Sequence, residues 1–185
     1  AAVLANLTAS GTELLTLKVT GDTASAADLI KVNDATSLKV NASAIKEITG
    51  NAQIYKQYSF KTISGLGNEA VIISGTVVGA DAPTAKEANV ILKATTGKVT
   101  AEIGDTAANL VKGLTDAKGT DNLTLTVSAG TATAADLKAL DAKTSVIVNA
   151  SNVTDIKGTA ADVKTVLKAD EAATINLKAN VAVEV

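Results

Sequence analysis

Hydrophobic residues follow two patterns that alternate along the chain. One is short and rich in β-branched residues, with apolar and polar positions trading places at period two; it covers residues 14–20, 37–41, 70–78, 98–103, 122–128, 145–149 and 174–185 and predicts strands. The other is alanine-rich with apolar residues three or four apart, as in Leu137 and Leu140 or Val163, Val166 and Leu167, and predicts helices over 24–33, 84–94, 106–114, 131–142 and 159–169. Each helical stretch opens with Thr, Ser or Asp, whose side-chain oxygen can accept an orphan backbone N–H. Pro83, just after Asp81, is expected in the first turn of its helix, where a missing donor costs little. These helices, of about ten residues, are too short to stand alone and need a packed face.

The pattern also repeats. Residues 11–50 lie over residues 119–158 without a gap, shifted by 108 positions, with about half the aligned positions identical. The matches include polar and turn positions: Asp28 with Asp136, Asn41 with Asn149, Ser43 with Ser151 and Gly50 with Gly158. Turns and caps are copied along with the apolar stripe, which means that a backbone path is copied. Residues 15–19 and 123–127 are therefore expected on equivalent strands of one continuous sheet, with Leu29 and Leu137 on equivalent helices.

Strand, turn, helix, turn and strand recur at roughly 22 to 28 residues, the spacing of stacked repeats. Parallel strands need a crossover and a helix supplies one. The expected fold is an α/β solenoid of one domain over residues 1–185, with a parallel sheet on one side and short helices on the other, coils stacking about 4.8 Å apart at the strands. Residues 45–60 carry no helix signal and are expected to form a thinner spacer coil. An all-β sandwich is the alternative, because β-branched strands divided by Gly and Asn turns suit it too.

Composition narrows the chemistry. The only aromatic residues are Tyr55, Tyr58 and Phe60, so Ala, Val, Leu, Ile and Thr must fill the core. The 17 basic residues, all lysine, and 19 acidic ones are scattered, which argues against a nucleic-acid surface. No stretch approaches the roughly 20 apolar residues of a membrane-spanning helix, and the N-terminal residues carry no signal-peptide pattern. With no His and no Cys, a Ser-His-Asp triad, a Cys-His pair and thiolate or imidazole metal sites are excluded. A carboxylate pair acting on glycosidic bonds is the enzyme chemistry that survives, but the carboxylates sit mainly in capping and surface contexts, and no catalytic residue is expected. Calcium is the one metal worth weighing, at the turns around Asp22, Asp105 and Asp121; such side chains more often bond their own turn.

The stretch Thr133 to Asp162, T-A-A-D-L-x-x-L-D-x-x-T-x-V-x-V-N-A-S-x-V-x-x-I-x-G-T-A-A-D, resembles the degenerate repeats of very large bacterial cell-surface proteins, among them cyanobacterial giant exoproteins, surface-layer-like proteins and repeat adhesins. Residues 63–71, I-S-G-L-G-N-E-A-V, are similar to the same type of repeat. The resemblance implies stalk or lattice material on the cell exterior, with no catalytic residues to carry over.

The leading expectation is thus a structural protein of the bacterial exterior that associates with itself or with neighbouring repeats. A surface glycan- or cell-binding module is the second, and a β-helix carbohydrate enzyme the third. Tyr55, Tyr58 and Phe60 are the candidate partner or glycan contact, since Tyr gives contact area at low entropy cost. The open apolar segments at either end, with Val3, Leu4 and Leu7 at one and Val181, Val183 and Val185 at the other, are the candidate assembly interface. Five N-x-S/T sequons stand at Asn6, Asn41, Asn122, Asn149 and Asn152. Asn41 and Asn149 are expected to satisfy turn backbone.

Overall fold

A computed structural model describes residues 14–51, 62–75 and 82–185. Among these lie twelve strands and five helices: β1 (Thr23–Ser25), α1 (Ala26–Asp34), β2 (Val40–Asn41), β3 (Glu47–Asn51), β4 (Ile63–Ser64), β5 (Ala70–Ser74), α2 (Ala85–Ala94), β6 (Val99–Asp105), α3 (Ala107–Gly113), β7 (Asn122–Val127), β8 (Gly130–Thr133), α4 (Ala134–Asp141), β9 (Val148–Ala150), β10 (Val153–Lys157), α5 (Ala160–Glu171), β11 (Ile175–Leu177) and β12 (Ala182–Glu184).

The helices begin where a hydroxyl can cap them. Ser25, Thr84, Thr106, Thr133 and Thr159 each accept the N–H three residues on, and at Thr84 the Glu87 carboxylate returns a bond to the Thr84 N–H at 2.9 Å. Each such cap stabilises by about 1 kcal/mol relative to Ala. Pro83 therefore stands one residue outside the cap rather than in the first turn as expected; helix α2 starts two residues later than the proline.

All the strand pairings are parallel. The large sheet runs β1-β3-β5-β6-β7-β9-β11, a second one β8-β10-β12, and β2 pairs with β4. Strands follow one another across each sheet in chain order, and the step between paired residues runs from 22 (Thr100 opposite Asn122) to 28 (Val71 opposite Val99). Helices α2 to α5 pack in succession, each on the next. This is a mixed α/β fold with a large parallel sheet and no closed barrel, and its helices rule out the all-β sandwich. The core between sheet and helices is built from Ala, Val, Leu and Ile, including Leu29 and Leu137, both fully buried in the same cluster.

The 108-residue repeat copies hydrogen bonds as well as residues. Thr36 is buried where the chain leaves α1; its Oγ1 accepts the Leu15 N–H at 3.2 Å and donates to the Leu15 carbonyl at 2.8 Å. Thr144 does the same to Leu123 at 3.0 and 2.7 Å. Each hydroxyl stands in for a strand residue, closing the edge of the preceding strand. The Lys18–Asn41 bridge matches the Thr126–Asn149 pair, and β1–β3 matches β8–β10 residue for residue.

The first strands of the two copies nevertheless lie in different sheets, which corrects the expectation of one continuous sheet for residues 15–19 and 123–127. Residues 123–127 lie in β7 of the large sheet, whereas the partner of Lys18 is Asn41 of the small β2–β4 pair. The cause is β6. At two corners the chain bends between strands at a glycine with positive φ, Gly21 (114°) and Gly130 (121°), and between β2 and β3 and between β9 and β10 it turns without one; β6 runs straight for seven residues, pairing on one edge with β5 and on the other with β7. It thereby joins the second-strand position of the early units to the first-strand position of the later ones.

Three further boundaries differ. Residues 24–25 and 131–133, read as helix, belong to strands β1 and β8. Residues 174–185 form two strands, not one, broken before Asn180, whose φ of 59° fits a turn that Asn tolerates. The stretch 45–60 contains strand β3, and its residues 52–60 lie outside the described residues.

Candidate assembly face

The way one unit grips the next can be read from the interior. Lys138, five residues past its cap Thr133, reaches forward to Asp162 of α5, and Asn89, five past Thr84, reaches forward to Thr115 and Asp116 at 3.0 and 2.8 Å. Along the strands, Lys157 pairs with Glu184 at 2.7 Å, and Lys46 with Asp22 at 3.1 Å. The Lys138 ammonium, and next the Thr159 hydroxyl, hold the Asp162 carboxyl below the usual Asp range; the hydrogen bond and charge of Glu184 raise the Lys157 ammonium. Exposed pairs of this kind add little stability. Their contribution is to fix which residue of one unit faces which residue of the next.

Among the described residues, no later unit covers the outer side of α5, β11 and β12. Strand β11 is the last strand of the large sheet, whose other outer strand is β1, and β12 the last of the three-stranded one, whose other outer strand is β8. Leu167, Val183 and Val185 are 41%, 43% and 79% exposed, while Leu123 and Leu125 in the middle of the large sheet are fully buried. Val181 is partly buried against the core. A shallow depression of about 440 Å³ runs between β12 and a single stripe of α5, bordered by Ala160, Val163, Lys164 and Leu167 on the helix and by Val183 and Val185 on the strand. Two of the three candidate interface valines, Val183 and Val185, are thus brought together with a helix stripe whose Val163 and Leu167 the sequence reading assigned to the core-facing side; Val163 is buried as expected, and Leu167 is exposed. Val3, Leu4 and Leu7, like Tyr55, Tyr58, Phe60 and Asn6, lie outside the described residues.

The other polar groups singled out from the sequence are engaged locally. Asp22 pairs with Lys46; Asp105 Oδ1 accepts the Thr106 N–H and the Asn109 amide; buried Asp121 accepts the Val99 and Lys118 N–H groups at 2.9 and 2.8 Å. Among the described residues no three Asp, Glu, His or Cys side chains gather as metal ligands would. Asn41 and Asn149 accept the N–H of Ser43 and Ser151 at 3.0 and 3.2 Å, so each closes a turn through its own side chain. A second depression, of about 320 Å³, lies between α2 and α3 with Lys86, Lys112 and Asn109 at its rim. No described helix is long and apolar enough to cross a membrane.

No protein-family model, no curated protein and no solved structure matches this chain.

Proposed function

We propose that the chain is an α/β solenoid segment, a single stacked domain that serves as structural spacer material on the bacterial cell exterior, in a surface layer, filament or adhesin stalk. The observation that carries this reading is the copied hydrogen-bond pattern: Thr36 and Thr144, Asn41 and Asn149, and the paired strands around them repeat one backbone path 108 residues apart. Parallel strands in chain order at steps of 22 to 28 residues support it. So does the even charge of the surface. A solenoid needs only neighbour-to-neighbour contacts, and its job is length and stiffness rather than a reacting centre.

Modularity is the test. Thr133-Ala-Ala-Asp136 and Thr159-Ala-Ala-Asp162 are identical cap sequences, so removing residues 134–159 joins Thr133 to Ala160 with the cap intact. In a solenoid, the shortened chain folds with a lower unfolding midpoint and a chain with 134–159 duplicated folds with a higher one, read by circular dichroism. Loss of folding in both would overturn the solenoid. Antibody labelling of intact source cells checks the location; label only after lysis would overturn it.

A further inference from the structure

We infer that the bare face of α5, β11 and β12 takes the first described unit of a second copy of this chain, so that copies stack head to tail in continuous register. The inference rests on the solenoid reading above. The face is an open repetition of an interface that the chain already builds internally. On α4, Ala134 and Leu137, the equivalents of Ala160 and Val163, are fully buried and the following unit lies against them: an added Cβ at Gly158 would lie 3.1 Å from the Ala134 Cβ, and Asp162 receives Lys138, the equivalent of Lys164. Lys164 holds the same place on α5 that Lys138 holds on α4, five residues beyond the capping threonine, and it is exposed beside Leu167. What belongs opposite it is a carboxylate at the third position of a capped helix.

This chain carries such a group at Asp28. Its Oδ2 accepts the hydroxyl of the cap Ser25 at 2.7 Å, as Asp162 Oδ2 accepts that of Thr159 at 3.0 Å, and among the described residues no ammonium reaches it. The strands agree. Residues 14–25 have their repeat counterpart in 122–133, and that counterpart is seated on the preceding strand β6 by six in-register parallel pairs, from Thr100 opposite Asn122 to Asp105 opposite Val127. A head-to-tail neighbour supplies strands parallel to β11 and β12, continuing the parallel pairing each already makes with β9 and β10, whereas a two-fold neighbour would supply antiparallel ones. The contact joins two different surfaces and so propagates into an open filament.

Sedimentation velocity of the whole 185-residue chain over a concentration series tests this, with Lys164→Glu and Asp28→Lys as the two probes. Each variant alone sets like charges across the contact, and each is expected to associate roughly tenfold or more weakly than the parent. An equimolar mixture restores opposite charges at every junction and recovers association. Leu167→Lys with Val183→Lys, both at exposed positions, abolishes it. A parent chain that stays monomeric throughout overturns the inference, as does association that neither charge change weakens or that the mixture fails to restore. The deletion and duplication pair keeps its outcome in all those cases, so the failure of head-to-tail stacking is distinguishable from failure of the solenoid.

Discussion

The first strands of the two repeat copies, residues 15–19 and 123–127, share four of five residues and the same threonine clasp, yet they differ in depth. Leu123 and Leu125 are fully buried, whereas Leu15 and Leu17 are only partly so. The reason is what lies beside them: β7 is held between β6 and β9 in the large sheet, while, among the described residues, 14–20 are bridged to one strand, at Asn41, and clasped by the Thr36 hydroxyl, with Val19 buried in the core and Leu17 packed against it. Local sequence writes the hydrogen bonds, and neighbours write the burial.

The comparison depends on β6, so the largest effect is expected there. Gly97 precedes that strand, and a Cβ at this position would lie 2.2 Å from the Glu69 carbonyl oxygen, a backbone atom that cannot swing aside. Gly97→Ala should cost about 3 kcal/mol or more, because the two strands must part to admit the methyl. It should also loosen the β5–β6 junction more than either repeat copy, as hydrogen exchange at Val71 and Val99 would report. A fall in stability below about 1 kcal/mol would show that β6 is not a tight splice.

Leu123→Ala and Leu15→Ala sharpen the difference in depth. The first removes a fully buried side chain and is expected to cost about 2 to 5 kcal/mol; the second, at a partly exposed site, about 1 kcal/mol. Equal losses in denaturant melts would mean that the first copy is covered as well as the second.

Much of this fold is legible in the sequence. Four of the five described helix starts follow from Ser or Thr with an acid three residues on, α3 having Asn109 in that place, and the repeat predicts which bonds recur. The second strand of each unit is harder to see. In β10 the register against β8 shifts between Val153 and Asp155, so the buried residues Val153 and Ile156 fall three apart and the period-two signal disappears; Ile45 and Ile48 show the same spacing at β3. Sheet membership is illegible for a different reason. A corner forms with a positive-φ glycine at Gly21 and Gly130 and without one between β9 and β10, and Gly104 inside the straight β6 reads like any other. The apolar segment at 181–185 announces an interface, while its partner stripe on α5 is a helix face like the rest until the absence of a described neighbour leaves it open.

Where local bonds are identical, the copies should respond alike. Thr36→Val and Thr144→Val each keep the shape but leave a leucine N–H and carbonyl unclasped, an expected loss of about 1 to 3 kcal/mol in either copy. The two losses should agree within about 0.5 kcal/mol, which the same melts measure. A larger gap would show that the clasp depends on the burial around it.

The smallest effect concerns the ion pairs that set register between units. Asp162 is held below the ordinary Asp value of about 3.9 by the Lys138 ammonium and the Thr159 hydroxyl, so folding favours its charged form. The sign follows: its contribution is fully present above the unfolded value and is lost as pH falls through the lower, folded one. Lys157 behaves oppositely. Glu184 raises it above about 10.5, so its contribution is present below that value and disappears as pH climbs through the raised one. Both groups face solvent, and salt should weaken both effects. Carboxyl 13C titration should place the Asp162 midpoint below the ordinary range and move it upward in Lys138→Ala. One unit earlier, Val111 stands where a lysine would reach forward to Asp136, so this ion pair is particular to the junction of α4 and α5. An Asp162 midpoint unmoved by Lys138→Ala would remove the ion pair from the description of how one unit registers on the next.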